Sequence, residues 1–347
     1  MSAHTEAEIQ VLIAHLELAH PKETPNNNFY AFFPKTLDEA ATYFRRFRVD
    51  WAAAYRSLLA RGLLRRAGAS YELTSEGVVA AARVRDARPP IYYWYEEFYG
   101  EAPYSPAFAM YCERLFGKAL CQDGFADMEQ VDLVFDVAPL EPGMRALDLG
   151  CGTGMIAEYL SDATGAQVTG IDYSPTAILQ AVERTRSKAD RLTFLTSNLD
   201  ELERLPFPAD HFDVITAFDS LYMPRDLDAT LAQMCNLLAP DGRMVLYYTQ
   251  MLFDPDAPRD LLAPERTPLG EALERALLPY SLQDFSAPCY GFLQLKRQIG
   301  EALREAFAAE GRSFLANHIV AESEGSTAPY DPETARLSRY VYVVEKS

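Results

Sequence analysis

Apolar residues recur at three- to four-residue intervals in IQVLIAHLELA (9–19), TLDEAATYFRRF (36–47) and DWAAAYRSLLARG (50–62), which predicts three short amphipathic helices. The rhythm changes in GLLRRAGASYELTSEG (62–77), where apolar pairs flank a glycine-containing turn. A small hairpin is expected there, then a helix to about Arg85. Arg88, Pro89 and Pro90 mark a boundary, because Pro89 cannot continue a helix and Pro90 restricts its neighbour. Past an aromatic stretch (91–99) and a helical region (about 105–138) the pattern becomes regular. Strand-like runs at 144–150, 167–172, 191–198, 211–223 and 242–250 alternate with helical patterns at 155–162, 174–186 and 226–242. Ser174 as N-cap with Pro175 at the first helical position supports one of those helix starts. Five prolines between 251 and 280 interrupt the rhythm and predict an insertion over the substrate side. A long helix (about 291–310) and two late strands (about 313–321 and 338–345) are expected to close the chain.

This alternation predicts an α/β fold, a doubly wound and mostly parallel sheet with ligands at the carboxyl ends of its strands. Three parts are expected: a small helical domain at 1–90, an aromatic lid with connecting helices at 91–140, and a ligand-binding domain at 141–347. The chain has 347 residues, 49% hydrophobic and 24% charged, enough for a sizeable core and two domains. It has no apolar run of about 18 residues, and its first twenty residues carry Glu6, Glu8 and Glu17 rather than a basic leader. A cytoplasmic protein without a membrane span is the expectation. Five irregularly spaced cysteines fit neither a disulfide framework nor paired zinc ligands.

Charge narrows the partners. Residues 1–90 hold 12 basic against 10 acidic side chains, leaving 20 against 40 for the rest of a chain whose net charge is -18. Nucleic acid is thereby disfavoured as a partner of the larger part, whereas a cationic ligand meets no electrostatic objection.

Such a ligand is suggested by LDLGCGTG (147–154). Its glycines, Gly150, Gly152 and Gly154, do not follow the dinucleotide spacing, whose third glycine position holds Met155. Asp148 before the turn would repel a phosphate but suits an ammonium and a sulfonium, which points to S-adenosylmethionine, with S-adenosylhomocysteine as product.

With these residues in place, the segment from about 126 to 250 resembles the class I S-adenosylmethionine-dependent methyltransferases, and the tail resembles their closing strands. The resemblance implies a Rossmann-like sheet of seven strands. It assigns the cofactor's methionine part to Asp148 and the turn residues Gly150, Cys151, Gly152 and Gly154. Asp172 would accept the ribose hydroxyls and Tyr173 would lie against the adenine. Where family members often have Asp-Ala beside the adenine edge, this chain has Asn198 and Leu199; Asn198 reads equally as an adenine contact or a solvated loop residue. In AFDSLYM (217–223), Asp219, Ser220 and Tyr222 would border cofactor and acceptor, with Asp219 and Tyr222 orienting a nucleophile or taking its proton. A plain helix cap is the competing reading of Asp219. In IYYWYEEFYG (91–100), Tyr92, Tyr95 and Tyr99 share one helical face beside Glu96; Tyr95 and Tyr99 are the candidate lid over the transferring methyl, the alternative being interdomain packing.

Three helices and a two-stranded wing also make residues 1–90 resemble a winged-helix domain, which in small-molecule O-methyltransferases builds a homodimer. The histidine base of those enzymes has no counterpart, since no histidine lies between His211 and His318. His4, His15, His20, His211 and His318 all read as structural or surface residues. Methyl transfer from a sulfonium needs mainly proximity and alignment. The expectation is therefore transfer to a small molecule, nitrogen ahead of sulfur, carbon or oxygen, with no metal. Ten arginines between 45 and 88 leave one alternative, a winged-helix DNA-binding regulator that senses S-adenosylmethionine.

Overall fold

The computed structural model describes residues 4–19, 51–68, 70–86, 92–252, 254–323 and 328–346. The helix expected at 36–47 and the boundary prolines lie outside these residues. The chain divides into two compact units, Met1–Glu97 and Phe98–Ser347.

In the first unit, α1 (Glu6–Ala19) and α2 (Trp51–Ala60) precede an antiparallel hairpin, β1 (Leu64–Ala67) and β2 (Ser70–Leu73), and α3 (Ser75–Asp86). The hairpin and the helix after it fall where the sequence pattern puts them. Gly77 lets α3 start close to the hairpin, because a Cβ there would lie 1.9 Å from the Leu63 carbonyl oxygen. Val11, Leu12, Leu16, Ala54, Leu58, Leu64 and Ala81 form the core of the unit. The helix α4 (Tyr92–Glu101) begins in this unit and ends in the second.

The second unit is built on seven strands: β3 (Arg145–Leu149), β4 (Gln167–Asp172), β5 (Leu192–Thr196), β6 (Phe212–Ala217), β7 (Leu238–Met251), β8 (Tyr280–Asp284) and β9 (Leu337–Glu345). Their order across the sheet is β5-β4-β3-β6-β7-β9-β8, and β9 alone runs antiparallel to its neighbours β7 and β8. Burial follows position. Central β3 buries four consecutive residues because helices cover both faces, while edge strand β5 partly alternates. The helices α7 (Met155–Thr164) and α8 (Pro175–Arg184) are crossovers, and Ser174 caps α8 by accepting from the Ala177 N–H. Strand order reverses between β3 and β6, so the ligand crevice of such a sheet opens beyond their carboxyl ends.

Four expectations are corrected. The region 105–138 is two helices, α5 (Pro106–Phe116) and α6 (Met128–Val137), because Gly117 at φ 89° ends the first. Helix α9 (Leu227–Leu237) stops short of 242, since Pro240 disfavours helical backbone at Ala239 and the chain passes into β7 at Leu238. Residues 313–321 are not a strand but helix α13 (Ser313–Glu322); the missing seventh strand is β8. The segment 291–310 is likewise divided, into α11 (Ser286–Ala302) and α12 (Arg304–Ala309).

Residues 252–279, which contain α10 (Pro268–Arg275), are the crossover from β7 to β8, and Arg275 of α10 pairs with Asp228 of α9. Helices α11 to α13 connect the end of β8 to the start of β9. Since Asp284 pairs with Tyr340 and Met251 with Leu337, both of those ends lie at the carboxyl edge of β7. The helical segment 286–322 therefore leaves and rejoins the sheet on the side where a ligand would bind.

Candidate functional site

The glycine turn joins β3 to α7. Gly150, Gly152 and Gly154 have φ of 74°, 53° and 71°, which a side chain would strain. What a Cβ would strike there is the protein itself. At Gly150 it would lie 2.5 Å from Ser220 Cβ, at Gly152 2.7 Å from the Tyr99 hydroxyl, and at Gly154 2.3 Å from the Phe194 ring. The turn is thus pressed between the end of β6, the aromatic helix α4 and strand β5. Cys151, half-buried inside it, has its thiol pushed up by burial and lies near the carboxylates of Asp172 and Asp148.

Two of the expected carboxylates come together behind the turn. Asp172 ends β4 and accepts from the N–H of Gly152 (2.9 Å) and of Ser174 (2.8 Å), so one side chain ties the turn to the start of α8. Asp148 lies deep behind the turn. It is 2% exposed and accepts from the Thr216 hydroxyl at 3.0 Å. Burial, with a smaller contribution from the neighbouring Asp172 charge, pushes the Asp148 carboxyl up to about 7 despite that hydrogen bond. Tyr173, next to Asp172 in sequence, is half-buried. Asn198 accepts from the Asp200 N–H at 3.2 Å and caps the short turn Leu199–Arg204, in which Leu199 is buried. Tyr99 is 7% exposed and its carbonyl accepts from the Gln180 amide. Tyr95 belongs to the first unit, where it is half-buried.

At the end of β6 the structure brings Asp219 and Tyr222 together but commits their polar atoms to the protein. The Tyr222 hydroxyl donates to Asp219 Oδ1 (3.0 Å) and accepts from the Thr249 N–H (2.7 Å). Arg339 of β9 holds both Asp219 oxygens, with Nη1 at 2.7 Å from Oδ1 and Nη2 at 3.1 Å from Oδ2. The Phe125 N–H also donates to Oδ2. Asp219 caps no helix; it has φ of 53° and Asp226 caps α9. Arg339 is fully buried, its Nε and Nη1 donating to Gln130 and Thr249. Sequence reasoning missed it, and no local pattern around it signals a partner 120 residues away.

A second group was also missed. Asp123, Lys296, His318 and Glu322 cluster between helices α11 and α13 and the strap 121–125. His318 Nε2 lies 3.3 Å from Asp123 Oδ1 and 3.4 Å from Glu322 Oε2, while the Lys296 ammonium pairs with the same Glu322 oxygen. Burial disfavours the charged imidazole, but the Glu322 and Asp123 carboxylates outweigh it and hold its pKa above the ordinary 6.5. Although the three candidate ligand atoms lie within 4.8 Å of one another, Lys296 already supplies the cation that Glu322 needs.

Among known proteins, residues 140–266 match the family model described as a methyltransferase domain. Methyltransferase GfsG of Streptomyces halstedii is 32% identical over 123 residues, covering 35% of this chain and 43% of that protein. The 27-O-demethylrifamycin SV methyltransferase of Amycolatopsis mediterranei is 32% identical over 149 residues, 40% of this chain and 54% of its own. The ubiquinone/menaquinone biosynthesis C-methyltransferase UbiE of Shewanella piezotolerans is 34% identical over 113 residues, 31% and 44%. The chain thus spans about half the length of the curated relatives it matches. In fold it is similar to a phosphoethanolamine N-methyltransferase of Haemonchus contortus (TM-score 0.56, 17% identity, 73% of this chain and 60% of that one). The cyclopropane synthase MmaA2 of Mycobacterium tuberculosis is similar too (TM-score 0.53, 16% identity, 73% and 98%). Among the described residues no helix is long and apolar enough to cross a membrane. The glycine turn thus lies in a segment, residues 140–266, that matches a methyltransferase domain, and it sits on a mostly parallel seven-stranded sheet of Rossmann-like fold.

Proposed function

We propose that the chain transfers a methyl group from S-adenosylmethionine to a small-molecule acceptor at the carboxyl edge of β3, β4 and β6. The observation that carries this reading is the pair Asp148 and Asp172 behind a turn of three left-handed glycines. Such a donor set suits a cation bearing ribose hydroxyls and is hostile to a phosphate. When bound, the cofactor supplies a methyl on a positively charged sulfur, and a neutral thioether leaves.

The chain's own residues have the remaining tasks. Asp172 keeps lone pairs for the ribose hydroxyls while holding the Gly152 and Ser174 amides. Asp148 opposes the cofactor's positive end; Tyr173, Asn198 and Leu199 border the adenine; Tyr99 covers the turn. Asp219 and Tyr222, locked by Arg339, serve as a rigid wall that aligns the acceptor rather than as a free base. Alignment is what an in-line displacement rewards.

The acceptor atom is assigned to carbon or oxygen. Nitrogen, the first expectation from the sequence, has no support in the matched relatives, whose names specify an O-methyltransferase and a C-methyltransferase. The test is calorimetric titration with S-adenosylhomocysteine, followed by a screen of reduced quinones, hydroxylated small molecules and amines with labelled cofactor. No binding of S-adenosylhomocysteine would refute the cofactor; methylation of amines alone would refute the acceptor class. Pairing of two copies through residues 1–90 belongs to the same proposal. It predicts a twofold mass in light scattering that falls on dilution.

A further inference from the structure

We infer that His318 is a positioning residue for this methyl transfer: its ring bridges Asp123 and Glu322, and so seats the strap 121–125 against Asp219. The inference rests on the methyl-transfer reading for what Asp219 serves, but not for the bridge itself.

The geometry forms one connected path. His318 and Glu322 stand one turn apart on α13, in the segment that leaves and rejoins the sheet at its carboxyl edge. Asp123 receives His318 at 3.3 Å. Two residues on, the Phe125 N–H donates to Asp219 Oδ2 at 2.9 Å, and Gly124 lies so close that a Cβ would be 2.9 Å from the same oxygen. The Phe125 ring is approached by both buried cations, Lys296 Nζ at 5.3 Å from its centre and Arg339 Cζ at 5.7 Å. Gln130 adds a tie, donating to the Phe125 carbonyl and accepting from Arg339. A shift of the strap would therefore move the partner of one Asp219 oxygen and both cation–ring contacts together.

Geometry shows why the imidazole serves in its charged form. Its Nε2 lies within 3.4 Å of a carboxylate oxygen of both Asp123 and Glu322, and the two carboxylates together outweigh the cost of burial. Among the described residues, Tyr111 and Cys112 of α5, Cys121 of the strap and Cys289 of α11 also interact with members of the cluster. Burial pushes Tyr111 and Cys112 well up, and Cys121 and Cys289 up to about 12, so these four groups stay neutral through the range in which His318 titrates.

Because the folded pKa of His318 is raised, the bridge is complete below pH 6.5 and is lost as pH rises through the higher folded value. The test uses the full chain saturated with S-adenosylhomocysteine and reads hydrogen-exchange protection of the Phe125 amide, with an NMR titration of the His318 ring. On going from about pH 6 to about pH 9, wild-type protection should fall by roughly tenfold with the ring's midpoint. His318→Gln should show the lower protection at both pH values, as should Asp123→Asn. Protection independent of pH in the wild type, or unchanged in both variants, would overturn the inference; so would its loss on adding EDTA, which would assign the cluster to a metal. The wild-type titration decides the matter even if a variant fails to fold. Calorimetry on the same samples separates the two readings, because absent S-adenosylhomocysteine binding would sink the cofactor assignment and leave the Phe125 response to judge His318.

Discussion

Arg339 and Asp219, 120 residues apart in sequence, meet in a two-pronged ion pair with contacts of 2.7 and 3.1 Å, and both side chains are at least 95% buried. Removing one partner strands a charge in the interior. Asp219→Ala should therefore destabilise the chain by about 3 to 5 kcal/mol, and Arg339→Met by a similar amount. The double variant Asp219→Leu/Arg339→Met should recover much of the loss, because no charge is left unpaired. Denaturant unfolding of the four proteins checks this, and additive single losses would show that the two side chains do not act as a pair.

Asp172 joins two tasks that a substitution can separate. Asp172→Ala removes the acceptor of the Gly152 and Ser174 amides and the proposed acceptor of the ribose hydroxyls. Affinity for S-adenosylmethionine should fall by roughly 2 to 3 kcal/mol. Asp172→Asn keeps one acceptor oxygen and should lose less. Calorimetry that finds wild-type affinity in the alanine variant removes Asp172 from the site.

The parts of this design that are legible in the sequence are those written locally. The glycines of 150–154, Asp148 near the end of β3 and Asp172 at the end of β4 lie in or beside buried apolar runs, so their side of the sheet follows from the pattern. SFLANHIVAE reads as a strand in sequence because a short apolar run packs equally well as a buried strand or helix, and only its packing on α11 decides. The weakly apolar YSLQD of β8 carries no strand signal, being mostly exposed at the sheet edge. Arg339 and His318 are invisible for a different reason. Each owes its role to partners contributed by distant segments, and a lone arginine in a strand or histidine in an apolar run reads as structural until those partners are placed.

Tyr99 and Gly152 offer a test of the aromatic helix. An alanine Cβ at position 152 would lie 2.7 Å from the Tyr99 hydroxyl and 3.1 Å from its ring, at a φ of 53°. Gly152→Ala should thus both strain the turn, by about 1 to 2 kcal/mol, and push the ring away. If the ring closes over the transferring methyl, Tyr99→Ala should lower turnover more than it weakens cofactor binding, while Tyr99→Phe keeps most of the rate. Stopped-flow turnover with the acceptor identified in the screen, beside calorimetric affinity, checks the split. Equal losses in rate and affinity would make Tyr99 a cofactor contact only.

Asp148 gives a pH prediction with a definite sign. Its carboxyl, at about 7 in the folded chain against an ordinary 3.8, holds a proton that the unfolded chain releases between those values. Its contribution to stability therefore falls as pH rises through that window, and above about 7 the full cost of the buried charge is present. Asp148→Asn retains an oxygen for the Thr216 hydroxyl and removes that charge. The variant should be more stable than the wild type at about pH 8 by about 1 kcal/mol or more, and not at about pH 4. Cofactor binding should show the reverse. A cation brought to the site draws the carboxyl back toward its ordinary range, so wild-type protein should release protons on binding S-adenosylmethionine near neutral pH. The Asp148→Asn variant should bind more weakly with no such release. Calorimetry in two buffers of different ionisation enthalpy measures the proton count directly. A release that persists in the variant would place the titrating group elsewhere, and a stability gain equal at both pH values would show that the carboxyl is not held up by burial.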